Sequence, residues 1–545
     1  MPETNPYQTN AEGPVAAPTN PYQLTEATIV EPPTNLAGKL KYLGPGFILS
    51  ASIVGSGELI ATTILGARAG FLLLWFIIFS CLVKVAVQLE FGKHAISSGE
   101  ATMASFNTLP GPKFGSANWS IWTWLLLMLA KMLQVGGIVG GVVLAIEQFA
   151  PGVNRIVLTY FVAATVSLLV FGGYYRLLEK ASLVMIAGFT LFTLMSLISL
   201  QSTDMAIGSA DLISGLKPSM PQALAFLAIG AFGITGVGGD EIMAYNYWLI
   251  EKGYASFVGP KTNTPEWYDR ARGWIRIMYL DAILAMIAYT SVTVMFYLLG
   301  AAILNSNGIV PEKDQLITSL GRMYTESLGP WAKNVFVAGA IIVLYSTLFA
   351  ALAAWTRLFS DAFGRIGLYS FEDAKARKRA ISFFAWVIPV IWGTLFLVFE
   401  APGWMVIVGG LATTVILLIV VFAALFFRYR RLDKQLYPSQ IYDAALWISV
   451  VAILIVALLG VRDVYTKTKD FIAPASPANA GLQLKGPTRW LVGSARSKWI
   501  RPEFSKGHLH AKSFSEALLA DEAAMLFGEK GLSRIQTDTR WADIS

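Results

Sequence analysis

Gly233-Ile234-Thr235-Gly236-Val237-Gly238-Gly239-Asp240-Glu241 lies inside an otherwise apolar stretch and reads as a helix built to break. Glycine in a helix interior costs about 1 kcal/mol relative to alanine, so the clustered glycines make local unwinding cheap. Two acids follow at once. A carboxylate at bilayer depth costs at least roughly 2.5 kcal/mol, which marks it as functional by default. Ile53-Val54-Gly55-Ser56-Gly57-Glu58-Leu59-Ile60, just after Gly44-Pro45-Gly46-Phe47, repeats the pattern earlier in the chain. Unwound backbone is tolerated in a membrane where it lines a cavity. Glycine-interrupted spans at matching places in two halves point to a transporter site.

The surroundings support that reading. Of 545 residues, 55% are hydrophobic and only 14% charged, and the mean hydropathy is +0.56. A soluble protein of this size has no way to hide so much apolar surface. The apolar residues form long runs, among them 72–82, 283–299, 335–345 and 416–427. Crossing a bilayer core takes about 20 apolar residues, and lipid leaves the backbone no partner outside a helix. Length and hydropathy place about 11 spans, near 43–67, 70–92, 119–148, 155–174, 180–200, 221–249, 276–302, 331–358, 380–400, 403–427 and 442–462. The two interrupted spans are the first and sixth, a displacement of five. The expected fold is therefore all-α and polytopic, a five-plus-five inverted repeat with broken helices 1 and 6.

The net charge of +7 sits in loops between apolar runs, a topology signal rather than a nucleic-acid patch. About 19 Lys and Arg residues fall on one side and about 6 on the other. The positive-inside rule then puts the N-terminus in the cytoplasm, with loops 92–118, 250–275 and 359–379 inside. The odd span count puts the polar, basic C-terminal tail outside, where such composition fits poorly. Residues 1–40 read as a disordered cytoplasmic tail, without the basic-then-apolar pattern of a signal peptide. Residues 41–464 read as the transporter domain and 465–545 as a polar tail, within which Ser513 to Ile535 has the spacing of a short amphipathic helix. The single cysteine, Cys81, excludes a disulfide within the chain and a thiolate metal cluster. No nucleotide-binding loop or catalytic triad is apparent. The expectation is secondary transport rather than an enzyme, with no cofactor.

Several motifs resemble the Nramp family of divalent-metal transporters. Gly44-Pro45, the tetrad Gly55-Ser56-Gly57-Glu58, Gly66-Ala67-Arg68-Ala69-Gly70-Phe71, Leu74-Trp75, Gln88 and Ile96-Ser97-Ser98-Gly99 fall on the family pattern without a gap. Arg176-Leu177-Leu178-Glu179-Lys180 and Tyr279-Leu280-Asp281 resemble its fifth-span entry and seventh-span start. The resemblance is dense over 44–99 and sparser to about 430. It implies a multi-pass protein of the cell membrane that moves a divalent metal ion, with a proton or sodium as coupling ion. The departures are large. The family's Asp-Pro-Gly-Asn stands here as Gly55-Ser56-Gly57-Glu58. Its Met-Pro-His falls on Val237-Gly238-Gly239, and its third-span acidic pair, linked to proton passage, falls on Val135 and Ile138.

The candidate metal site is then Glu58, Asp240 and Glu241, with unwound carbonyls of Gly55, Ile234 and Gly236. Asp240 is preferred over Glu241 as the acid facing Glu58, being nearer the break. Ser56 and Thr235 hydroxyls are further donors, although back-bonding within the helix is the commoner role for each. Oxygen-only sites suit Mg²⁺, Ca²⁺ or Mn²⁺. His94 falls at a loop start, so no histidine reaches the midplane. Lys84 and Lys131 are expensive in mid-span. They either neutralise the site acids or form structural pairs, with Glu90 or Asp281 among the partners. Gly136, Gly137, Gly140 and Gly141 fit close helix packing as well as a functional role. The alternative reading is an amino-acid or amine permease of the same broad fold, because a Gly-Ser-Gly nest also binds a substrate through free amides.

Overall fold

The computed structural model describes residues 20–172 and 175–472. Eight helical stretches among them are long and apolar enough to cross a membrane. One of these, Gly57–Ser98, runs through a turn and holds parts of two spans, and two shorter apolar helices, Arg155–Phe171 and Ile186–Leu200, add to the set. The result is eleven elements in the expected order. α1 runs Pro45–Ile53, Val54–Thr62, Thr63–Ala69; α2 runs Leu74–Val83 and Val85–Ser98. α3 is Trp119–Phe149, α4 Arg155–Phe171 and α5 Tyr175–Leu200. α6 consists of two halves, Ala225–Ile234 and Gly239–Lys252. α7 is Pro265–Leu299, continued by Gly300–Asn305. α8 is Ala332–Ile366, α9 Ala374–Phe399, α10 Pro402–Phe426 and α11 Gln440–Ile472.

Sequence chemistry sets the ends. Asn118 caps α3 by accepting from Ser120 N at 3.1 Å. Asn154 caps α4 through Ile156 N at 2.9 Å. Pro265 and Pro402 occupy first turns, where a missing N–H costs nothing. Gly367, at φ +101°, ends α8. Apolar side chains then divide by face. On α4, Ile156, Val157, Phe161 and Leu168 are exposed, as are Phe383, Val390 and Val398 on α9. Exposed apolar stripes on helices of this length are the surface lipid covers. Inside, α3 lies against α9 and α10 through its glycines: a side chain at Gly136 would meet the Trp392 carbonyl at 3.0 Å, and one at Gly137 the Pro402 carbonyl at 2.6 Å. The α3 glycines are packing glycines.

Four features depart from the sequence reading. From Asn20 onward the N-terminal segment is ordered: Tyr22 donates to Glu251 at 2.7 Å, Arg377 to Asn20 at 3.0 Å, and Val30 N to the Phe257 carbonyl at 3.0 Å. These anchors order residues whose composition alone suggested a disordered tail. A two-stranded hairpin, Lys113–Phe114 with Ala117–Asn118, forms between α2 and α3. A one-face-buried helix, Leu316–Leu328, fills the connection after α7, with Leu316, Leu320, Met323 and Tyr324 inward. His94 belongs to the last turns of α2, buried and stacked on Phe427. The compact unit ends at Gly460. The proposed helix from Ser513 to Ile535 lies outside the described residues.

Candidate functional site

The first half of α6 ends where Thr235 N makes its last helical bond, to the Ala231 carbonyl at 2.8 Å. Gly236 then takes φ +63°, a left-handed conformation that costs an L-residue roughly 1–2 kcal/mol. Gly238 caps the second half, whose first bond is Ile242 N to the Gly238 carbonyl at 2.9 Å. Residues 235–238 are thus a non-helical break, as expected. It leaves carbonyls free at one half-helix end and amides at the other.

α1 is interrupted differently. Val54–Thr62 is wound as a π-helix rather than unwound. A π-helix closes its bonds five residues apart, so carbonyls such as that of Gly55 stay within the helix's own ladder. This corrects the expectation of a freed Gly55 carbonyl. The glycines serve close approach instead. A Cβ at Gly57 would lie 2.5 Å from the Ile234 carbonyl oxygen, and one at Gly55 would meet α8 at Thr347 and, at 3.0 Å, the Val343 carbonyl. Ile234 therefore presents its carbonyl to Gly57 across the break.

Glu58 is fully buried. Its Oε1 accepts from Gly236 N at 3.2 Å and from the Thr293 hydroxyl of α7 at 2.8 Å. Its Oε2 has no hydrogen-bond partner among the described residues. Asp240 turns elsewhere: Oδ1 is ion-paired with Lys131 of α3, and Oδ2 accepts from the Trp355 indole of α8 at 2.8 Å. Glu241 folds back toward the Gly238 backbone, and its buried Oε2 meets no well-formed hydrogen-bond partner among the described residues. Glu58 and Asp240 thus point to different neighbours. Among the described residues no group of three or more His, Cys, Asp or Glu side chains is arranged to hold a metal ion. The Lys131 ammonium takes up Asp240, the acid that the sequence reading preferred.

Lys84 corrects a second expectation. Its ammonium donates to the carbonyls of Phe232 and Thr235, both at 2.5 Å, and stands 4.6 Å from the centre of the Phe232 ring. Glu90 pairs instead with Lys93, and Asp281 accepts from Gly44 N at 2.9 Å and Gly46 N at 2.5 Å, fastening the start of α1. Thr235 is back-bonded to the Ala231 carbonyl at 2.9 Å and meets Ser80 at 2.8 Å. One peptide group, 235–236, gives its C=O to Lys84 and its N–H to Glu58. A trans peptide directs the two groups to opposite edges, so the ammonium and the carboxylate grip the break from both sides. Sequence reasoning missed Thr293 and Trp355. Thr290 and Ser291 precede Thr293, and Thr356 and Arg357 follow Trp355, so only the facing of α7 and α8 reveals which polar group takes part.

Comparison with known proteins fits this geometry. The model of the natural resistance-associated macrophage protein-like (Nramp) family matches residues 46–462. An uncharacterised protein of Pasteurella multocida (strain Pm70) is 25% identical over 327 residues, 58% of this chain and 70% of its own length. Crystal structures of two mutants of the Eremococcus coleocola manganese transporter superpose with a TM-score of 0.60 at 14% identity, covering 84% of this chain and 94% of theirs. The fold is that of a multi-pass membrane transporter. The match takes in α2 to α10 and all but the outer ends of α1 and α11, and the chain belongs to the Nramp family of divalent-metal transporters.

Proposed function

We propose that this chain carries a hard divalent cation, Mg²⁺ or Mn²⁺, through the break in α6, as a secondary transporter of the cell membrane with a cytoplasmic N-terminus. The observation that supports this most is the pair of buried carboxylate oxygens without well-formed hydrogen-bond partners among the described residues, Glu58 Oε2 and Glu241 Oε2, flanking a stretch of non-helical backbone. A buried, unsatisfied anionic oxygen costs several kcal/mol unless something cationic meets it. The donors are all oxygen, with Gly236 and Ile234 carbonyls at hand and no thioether or imidazole at Val237-Gly238-Gly239. Such a set favours hard ions over softer transition metals. Mg²⁺ in particular keeps several waters and needs only one or two carboxylates. Asp240 serves as a reserve acid, reaching the ion only if Lys131 releases it.

The Eremococcus coleocola protein of similar fold is a manganese transporter, which agrees with this cargo class. Proton coupling of the family type is expected to be weak, since Val135 and Ile138 replace the third-span acids and both are buried apolar. The test is flux in proteoliposomes of the full chain, with Mg²⁺, Mn²⁺ and Cd²⁺ offered in turn and a pH dye inside. Mg²⁺ or Mn²⁺ uptake that falls at least tenfold in Glu58→Gln and in Glu241→Gln is the expected result. Preferential Cd²⁺ uptake with stoichiometric proton entry would contradict it.

A further inference from the structure

The end of the first half of α6 has the chemistry of a cation site. Carbonyls there are left over by helix geometry, and carbonyls at a half-helix C-terminus are what transporters of this architecture use to hold ions. In this chain two of them, Phe232 and Thr235, already hold a cation: the ammonium of Lys84, at 2.5 Å from each. The Phe232 ring adds its face at 4.6 Å. Ser80, one turn earlier on α2, touches the Thr235 hydroxyl at 2.8 Å and the Phe232 carbonyl at 3.3 Å, so the α2 face that delivers the ammonium is itself fastened to the break. Lys84 is fully buried. Among the described residues the other ammonium beside the break is that of Lys131, and it is committed to Asp240.

We propose that Lys84 is a tethered stand-in for the transported ion, occupying the Phe232 and Thr235 carbonyls until a substrate cation displaces it. This rests on the cation site proposed above and adds the Phe232 and Thr235 carbonyls to its donors. It assigns α2 a part in setting affinity that neither interrupted helix supplies. Loading the site means trading an internal ammonium for an external ion on the same carbonyls. Emptying it returns the ammonium, so the carrier never faces the bilayer with free carbonyls and unbalanced acids. A lysine that only capped the half-helix would stabilise the fold without competing with cargo, and the two roles separate experimentally.

The experiment is calorimetric titration of Mn²⁺ into the purified full-length chain and into Lys84→Met, which keeps length and removes the charge. Displacement predicts Mn²⁺ binding on the order of tenfold tighter in the variant, equivalent to about 1.4 kcal/mol. Methylammonium, a probe with the donors of the missing group, should raise the thermal stability of Lys84→Met and weaken its Mn²⁺ binding, while tetramethylammonium, which has no N–H, should do neither. Unchanged or weaker Mn²⁺ binding in Lys84→Met overturns the inference even if methylammonium stabilises the variant, because that combination describes a helix cap. Should Lys84→Met fail to fold, Phe232→Leu decides. It keeps the lysine and both carbonyls but removes the ring, so Mn²⁺ should bind about threefold tighter, and no change overturns the proposal. If the parent binds Mn²⁺ and only this shift is missing, the transport reading stands alone. If neither parent nor variant binds Mn²⁺ or Mg²⁺, the transport reading falls and the inference falls with it.

Discussion

α1 and α6 are matching elements of the two halves, and both carry glycines followed by an acid, yet they interrupt themselves in opposite ways. In α6 a glycine supplies backbone freedom: Gly236 sits at φ +63° and the helix stops. In α1 none of the glycines within the π-helical stretch Val54–Thr62 adopts a positive φ. There the missing side chains let Gly57 press on the Ile234 carbonyl and Gly55 on α8. The acids divide likewise. Glu58 reaches across to the partner helix's break, while Asp240 is neutralised by Lys131 before it can reach back. Glycine content therefore predicts that a helix will be irregular, and the neighbours decide whether the irregularity is a break or a close approach.

The sharpest way to test the division of the acids is to remove Lys131. Lys131→Met leaves Asp240 buried with only the Trp355 indole, and stripping one partner from a buried ion pair costs about 3–5 kcal/mol. A large drop in thermal stability is expected, with most of it recovered in Lys131→Met combined with Asp240→Asn. A mild single-variant effect would mean that Asp240 has another cation to turn to, which would bring it back as a site acid on the terms of Glu58.

The next effect tests close approach in α1. Alanine at Gly57 would push its Cβ to 2.5 Å from a backbone carbonyl that has no rotamer to yield. Overpacking of this kind costs about 1–3 kcal/mol, and it also moves Glu58 off Gly236, so cation flux should be lost along with the stability. Gly236→Ala should cost at least the left-handed penalty of roughly 1–2 kcal/mol, because its Cβ would also stand 3.0 Å from the Cys81 Cα and 3.3 Å from the Tyr289 ring. If Gly57→Ala is harmless in a melting curve and in flux, α1 does not need its glycine for space, and if Gly236→Ala is harmless, α6 does not need its glycine for the left-handed turn.

Much of this was legible in the chain. Eleven apolar runs gave eleven helices because lipid permits nothing else, and the Gly236-Val237-Gly238-Gly239 break announced itself by composition. The partners of the ionisable groups were not legible. Lys84 and Lys131 stood out as costly, but whether Lys84 meets Glu90, Asp281 or a carbonyl depends on which face of α2 turns toward α6. Periodicity leaves that open around Lys84, where nearly every residue from Leu72 to Val87 is apolar. The π-winding of α1 was hidden for a related reason: α- and π-helices draw on the same residues, and the choice follows from what packs against Gly55 and Gly57. The order of residues 20–35 was hidden because isolated anchors such as Tyr22 carry no pattern of their own.

The smallest expected effect sharpens the comparison at its centre, where Thr293 ties Glu58 to α7. Thr293→Val keeps the shape and deletes the hydroxyl. Glu58 retains the Gly236 amide on the same oxygen, so the fold loses one side-chain hydrogen bond, worth about 0.6 kcal/mol on average between membrane helices. The ion should notice more. With Thr293 present, Oε1 is held twice and Oε2 is aimed. Without it the carboxylate pivots about a single amide, and cation affinity should weaken several-fold while the melting temperature barely moves. Calorimetry beside a melting curve reads both. Unchanged affinity would show that the Gly236 amide alone orients Glu58, making the link between the two interrupted helices sufficient without α7. A melting shift as large as that of Lys131→Met would show instead that Glu58 is a structural acid like Asp240, and the contrast between the two helices would collapse.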